Sequence, residues 1–285
     1  MNIMTRQQKK TLKMVLSYLV IVLIGCLLLF PIAWMISCAF KTNEEIFGSI
    51  ALLPKSFSFQ NFVDGWKSAG SYTYLTYFLN SFALVVPTTV LTIASSALVA
   101  YGFARFEFPF KKQLFALLIA TLMLPNSVII IPRYVLFNKF GWVDSYMPWW
   151  VPAILACYPF FIYQLIQFMR SIPRDLDESA YIDGCSTFRV FWQILLPLMK
   201  SSLFSAGLFQ FLWTYNDYFN SLIFINSVKK YTVSLALRLS VDAESVVVWG
   251  RVMAMACVAV LPLVLLFFAA QKYFVEGIAT SGLKG

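Results

Sequence analysis

The chain has 285 residues, 60% hydrophobic and 12% charged. An ordinary soluble domain carries about 25% charged residues, so one core inside a wetted surface is excluded and the chain belongs in a bilayer. Its formal charge of +9 is not gathered on a polar face with interleaved aromatics, which excludes nucleic acid as the partner. Histidine is absent, which removes imidazole acid–base and metal chemistry, and no Cys or carboxylate cluster replaces it.

A helix needs about 20 apolar residues to cross the hydrocarbon layer. Six stretches qualify, at approximately 15–38, 78–103, 113–131, 149–169, 203–225 and 252–271. They predict an all-α polytopic protein in which residues 1–285 form one transmembrane domain. The first stretch follows Arg6, Lys9, Lys10 and Lys13 and has Pro31 and Trp34 near its far end. It exceeds the length of a signal-peptide core and lacks a small-x-small cleavage site, so it reads as a membrane anchor. The segment 39–77, with Pro54, Gly65, Gly70 and several aromatics, predicts a cap on the outer membrane surface. Pro87, Pro125 and Pro262 fall inside predicted spans, where the missing N–H favours a kink. Trp142, Tyr146, Trp149 and Trp150 predict an aromatic belt at headgroup level. Cys26, Cys38, Cys157, Cys185 and Cys257 have neither disulfide-framework nor C-x-x-C spacing.

In the fifth stretch, Trp213, Asn216, Asp217 and Asn220 follow i, i+3, i+4, i+7 spacing, which on one helix is one face. That face has two readings. It lines a substrate path, with an aromatic for ring stacking and polar groups for hydroxyls, or it packs between helices with its polar groups bonded across them. Asp217 is the one acid well inside a predicted span, which leaves an ion-coupled secondary transporter as the alternative function.

Lys and Arg set orientation. With the N-terminus inside, the inner segments hold thirteen of the 22 and the outer ones nine, giving net charges of +7 and +2. Both termini are therefore expected in the cytoplasm. The inner side then also receives the most polar piece of the chain, residues 173–197, PRDLDESAYIDGCSTFRVFWQILLP, within a loop of about 170–200 between the fourth and fifth spans. Pro173 ends the preceding helix, Asp175 is suited to cap a new one, and Glu178 three residues later completes a capping box. The helix runs to Tyr181 or Ile182 and stops at Gly184, which takes a left-handed conformation readily. A second amphipathic stretch, Phe188 to Leu196, leads to Pro197, which predicts a helix-turn-helix.

Glu178-Ser179-Ala180, Gly184, Ile194 and Leu196-Pro197 resemble the cytoplasmic loop signature of membrane subunits of ATP-binding-cassette importers, with Ser179 replacing the first of two alanines. Asn80-Ser81, Ala100-Tyr101-Gly102-Phe103-Ala104-Arg105, Trp213-Thr214-Tyr215-Asn216-Asp217 and the tail Gln271 to Gly277, ending Leu283-Lys284-Gly285, are similar to the maltose-type sugar permeases. The resemblance covers essentially the full length. It implies a type I importer permease fold in a bacterial cytoplasmic membrane. The implied partners are a second homologous permease, two ATPase subunits, an extracytoplasmic sugar-binding protein and a carbohydrate substrate. Asp175, Leu176, Glu178, Ser179, Ala180, Tyr181 and Gly184 would form the ATPase-coupling unit, with Glu178 pairing a basic residue of the ATPase and Leu176, Ala180 and Tyr181 supplying apolar contact. Capping its own helix is the other reading of Glu178. The resemblance also extends to tail contacts with the ATPases from Ala279 to Gly285, a segment whose composition equally fits a frayed end. ATP and magnesium would be bound by the partners, and this chain would hold no cofactor. Gly277 to Lys284 has P-loop-like glycines but a misplaced lysine and no following hydroxyl, so the chain is expected not to be an enzyme.

Overall fold

The computed structural model describes residues 6–67, 72–242 and 247–282, and all regular elements among them are helical. Helix α1, Arg6–Cys38, is basic in its first turns and apolar around its circumference from Met14 on, and the apolar window within Lys10–Cys38 is not buried inside the chain. A helix of that kind takes hydrocarbon as its partner. The segment that follows forms two short helices, α2 (Asn43–Gly48), capped by the Thr42 hydroxyl, and α3 (Gln60–Lys67). The central element is α4, Tyr74–Arg105. Then come α5 (Lys111–Leu122), α6 (Asn126–Lys139), α7 (Met147–Ile154) and α8 (Pro159–Ser171).

The polar insert forms α9, Asp175–Ile182, and α10, Thr187–Leu198, whose middle winds as π-helical turns. After these lie α11 (Lys200–Tyr215), α12 (Tyr218–Phe224), α13 (Val233–Asp242) and α14 (Trp249–Gly282). Among the described residues four stretches, Lys10–Cys38, Tyr74–Arg105, Met147–Ser171 and Trp249–Ala269, are long and apolar enough to cross a membrane, and the number is six if each of two bent pairs is one span.

The third and fifth expected spans are not continuous helices. The first bent pair, α5 and α6, turns by 104° at Pro125, whose ring disfavours helical backbone at Leu124 and which has no N–H to donate. The second is α10 with α11, at 76°. The fifth expected span, 203–225, is broken again between Tyr215 and Tyr218. The fourth is interrupted at 155–158, with Pro159 opening α8. By contrast, α4 and α14 run through Pro87 and Pro262 without interruption.

Three buried clusters hold the helices together. The first joins Ala97, Ala100 and Ala104 of α4 to Phe161, Leu165 and Met169 of α8, with Val190, Phe191 and Leu195 of α10. Small residues at three- and four-residue spacing allow the close helix approach that substitutes for a hydrophobic driving force inside a bilayer. The second links Tyr74 and Tyr77 to Ala236, Ala254 and Met255, and the third gathers Leu84, Phe137, Trp149 and Phe224. The expected aromatic belt turns inward to this third cluster. Trp149 is only 4% exposed, and the Trp150 indole N–H and the Tyr146 hydroxyl donate to the carbonyls of Leu84 (3.4 Å) and Lys230 (2.9 Å). Buried indole and phenol groups need such partners.

Residues 39–67 lie against the start of α14. A Cβ on Gly65 would come within 3.0 Å of Met255, and one on Gly250 within 2.5 Å of the Lys41 carbonyl oxygen.

Candidate functional site

The helix-turn-helix is anchored from below by one buried ion pair. Asp177, on α9, lies 2.6 Å from Nε of Arg105 at the end of α4, and the two side chains are 10% and 6% exposed. Arg105 also donates to the carbonyl of Ile172 (3.1 Å), and Arg174 reaches back to that of Ala104 (3.3 Å). Burial pushes the Asp177 carboxyl upward, and the positive charges of Arg105 and Arg174 oppose that shift. On the α10 side, the Tyr101 hydroxyl donates to the carbonyl of Thr187 (3.0 Å), and its ring stacks on Phe191 at 4.9 Å.

The capping box does not form. Arg174 precedes α9 with φ −71° and ψ −22°, already helical, so Asp175 falls inside the first turn and no side chain caps the helix. A side-chain N-cap needs extended backbone, which Arg174 does not provide. Asp175, Asp177 and Glu178 instead place three acids in the first turn, where their negative charge is favourable beside the positive end of the helix dipole.

Glu178 is exposed and makes no side-chain hydrogen bond or ion pair among the described residues, so the capping reading is not observed. Ser179 Oγ donates to the carbonyl of Asp175 at 2.8 Å. Leu176 and Tyr181 face outward in part, while Ala180 is buried in the first cluster and packs inside its own chain. The most outward apolar group is Ile182, 86% exposed, which sequence reasoning left out. The turn is closed by Gly184 at φ +79°. The Gly184 and Cys185 N–H groups donate to the carbonyls of Tyr181 (3.0 Å) and Ala180 (2.9 Å), the double bond pattern of a Schellman stop.

The second candidate group is rearranged. Helix α11 ends at Tyr215, Asn216 follows it with its amide donating to the Leu212 carbonyl (2.9 Å), and Asp217 caps α12 through the N–H of Asn220 (3.1 Å). Trp213, Asn216, Asp217 and Asn220 therefore do not share one helix face. The Asp217 carboxylate is itself a strong N-cap, which is the physical reason for the break. Trp213 sits apart, its ring among Phe160, Phe161 and Phe209.

Asp217 and Asn220 do stay together, joined by two residues that the spacing argument missed. The Asn220 amide donates to both Asp217 oxygens (2.8 and 2.9 Å). Trp149 Nε1 donates to Oδ2 at 3.1 Å. Arg133 on α6 donates to Asn220 Oδ1 and, at 3.4 Å, to Asn126, with its guanidinium 5.5 Å from the centre of the Phe224 ring. Arg133 lies in none of the inner segments and is one of the nine Lys and Arg on the outer side of the charge count. Its placement inside the apolar run VIIIPRYVLF is the signal that could have found it, since an ionisable group there requires a partner. Both Asp217 oxygens are occupied, and among the described residues no cluster of acids and thiols is disposed to hold a metal ion.

Broken spans, polar groups gathered at a break and a rigidly anchored helix-turn-helix between spans define a helical membrane permease. The chain belongs to the family described as binding-protein-dependent transport system inner membrane component, whose model matches residues 94–280. It is thus a multi-pass inner-membrane component of a transport system and not itself an enzyme.

It is 34% identical to the probable ABC transporter permease protein YurM of Bacillus subtilis, over 90% of this chain and 84% of that one. It is 29% identical to the trehalose/maltose transport system permease protein MalG of Thermococcus litoralis, over 98% of this chain and 99% of that one. The arabinooligosaccharides permease AraQ of Bacillus subtilis is 30% identical, over 92% and 93%. A crystal structure of a bacterial ABC transporter involved in the import of the acidic polysaccharide alginate superposes with a TM-score of 0.81, covering 96% of this chain and 100% of that chain at 17% identity. It shows the shared permease fold.

Proposed function

We propose that this chain is the permease subunit of an ATP-driven importer for an oligosaccharide or related carbohydrate. The observation that carries the cargo class is the nearly end-to-end likeness to permeases named for trehalose/maltose and arabinooligosaccharides. The partners in this reading are a second permease, two ATPases that bind ATP and magnesium, and an extracytoplasmic binding protein. Helix α9 lies on the cytoplasmic side, as do both termini, and docks into the ATPase through Leu176, Glu178, Tyr181 and Ile182.

Its unpaired carboxylate beside exposed apolar groups suits a socket that supplies a cation and an apolar wall. Closure of the ATPases on ATP pulls α9, and the Arg105–Asp177 pair together with the Tyr101–Thr187 bond passes the displacement to α4. Alternating access follows as α4 moves against α8 and α11. The Asp217–Asn220–Arg133–Trp149 network lies on the substrate side of this movement, where its internal hydrogen bonds are exchanged for substrate hydroxyls as the helices move.

The test is purification from native membranes with mass-spectrometric identification of partners, followed by uptake of labelled maltodextrin, trehalose and arabinan fragments by the reconstituted assembly. Recovery of an ATPase and a second permease with uptake of one of these sugars is expected. Uptake driven by an ion gradient without ATP would overturn the proposal.

A further inference from the structure

Two adjoining cavities open beside α9, at the junction of α4, α5 and α8. One, about 450 Å³, is lined chiefly by polar groups including Arg105, Glu107, Lys111, Arg170 and Arg174. The other, about 470 Å³, shares Glu107, Lys111 and Arg170 but adds Lys112 and the rings of Phe108, Phe110 and Phe115.

Their charges do not balance. Arg105 is taken by Asp177, and Lys111 bonds Glu107 at 2.9 Å and the Phe106 carbonyl at 2.7 Å. Arg170 rests 5.1 Å from the centre of the Phe115 ring, which holds the guanidinium without cancelling its charge. Among the described residues, Lys112 and Arg170 form no ion pair and Arg174 donates only to a carbonyl. With Arg105 and Asp177 set aside, four cations face one carboxylate.

A charged chamber joined to an aromatic one fits an amphiphile better than a compact anion. On α5, which carries Lys112 and Phe115 of the aromatic chamber, Leu114 and Leu117 are 46% and 61% exposed, an apolar surface of the kind acyl chains cover.

We infer that this double cavity binds the phosphate of an anionic phospholipid from the leaflet on the α9 side, with Arg170, Lys112 and Arg174 around the phosphate and the Phe108–Phe115 aromatics against the glycerol and upper acyl chain. Basic pockets between membrane helices recognise such headgroups by charge and hydrogen bonding. The assignment requires only that the chain is embedded in a bilayer, and it is independent of the cargo.

The experiment is native mass spectrometry of the complete, partner-associated protein released from nanodiscs containing phosphatidylcholine with or without phosphatidylglycerol, comparing wild type with Arg170→Gln/Lys112→Gln. Wild type is expected to retain one phosphatidylglycerol that the double variant binds about 25-fold more weakly, roughly fivefold for each cation removed. Arg170→Lys/Lys112→Arg is expected to restore retention, separating charge from misfolding. Equal retention of phosphatidylcholine, or unchanged retention in the double variant, would overturn the assignment. So would displacement of the lipid by millimolar inorganic phosphate alone, which would make it a soluble-phosphate site. Retention by the isolated chain but not by the complete assembly would assign the cavity to the ATPase.

Discussion

Asp177 and Glu178 are adjacent carboxylates with opposite surroundings. Asp177 is buried against Arg105, whereas Glu178 is exposed and has no partner among the described residues. Asp177→Asn leaves Arg105 buried and uncompensated, a loss of about 3 kcal/mol, to be read as a lower thermal midpoint of the purified protein in detergent. Glu178→Ala is expected to leave that midpoint unchanged while reducing ATPase activity of the assembly coupled to substrate. If the two substitutions had equal effects on stability, this division would fail. Gly184, at φ +79°, is required by the backbone. Gly184→Asp is expected to cost roughly 1–2 kcal/mol from the left-handed conformation alone, to disturb the α9–α10 turn and to abolish coupling while membrane insertion persists.

Among the elements, the loop after α6 is held to the segment after α12 by Asp144. Its carboxylate accepts from the N–H groups of Asn226 (3.0 Å) and Ser227 (2.8 Å) and from the Ser227 hydroxyl (2.6 Å), and it pairs with Lys230 at 3.0 Å. Burial alone would raise this carboxyl, but the Ser227, Lys230 and Asn226 donors outweigh it and hold it well below the ordinary carboxylate range. A depressed folded-state value stabilises the clasp fully above the unfolded value of about 4, and that contribution disappears as pH falls toward the folded value. Hydrogen exchange at residues 226–230 is therefore expected to be slow at neutral pH and to lose protection below about pH 4, with Asp144→Ala removing the pH dependence.

A second tie is made by Asn80 and Ser81. The Asn80 amide donates to the carbonyls of Lys229 and Tyr231, and the Ser81 hydroxyl accepts the N–H of Val233 at the start of α13. Asn80 and Ser81, which carry part of the family likeness, thus secure α4 against the segment that leads into α13.

For the whole molecule, the unpartnered apolar surface is concentrated on α1, where the membrane-spanning window buries nothing inside the chain. Deletion of residues 1–28 is expected to leave the thermal midpoint of the remaining helices unchanged, because none of the three clusters draws on that segment. A marked drop in midpoint would show that α1 packs on the bundle more closely than its exposure implies.

The six apolar stretches, the helix-turn-helix and its glycine stop were legible in the sequence because each is a local property, set by residue hydropathy, proline stereochemistry and the freedom of glycine. The one-face arrangement in the fifth stretch was misread because the spacing rule assumes an unbroken helix, and Asp217 ends that continuity by capping α12. The capping box at Asp175 failed for a related reason. Its composition was suitable, but the backbone at Arg174 was already helical.

By itself the sequence determined that this chain crosses a membrane several times, carries a polar insert between two apolar stretches and contains no histidine. Tertiary structure alone decided which buried charged and polar groups meet. Arg105 with Asp177, Trp149 with Asp217 and Arg133 with Asn220 lie 68 to 87 positions apart. No periodicity spans such distances. In an environment without water to solvate them, their pairing depends on which helices come together.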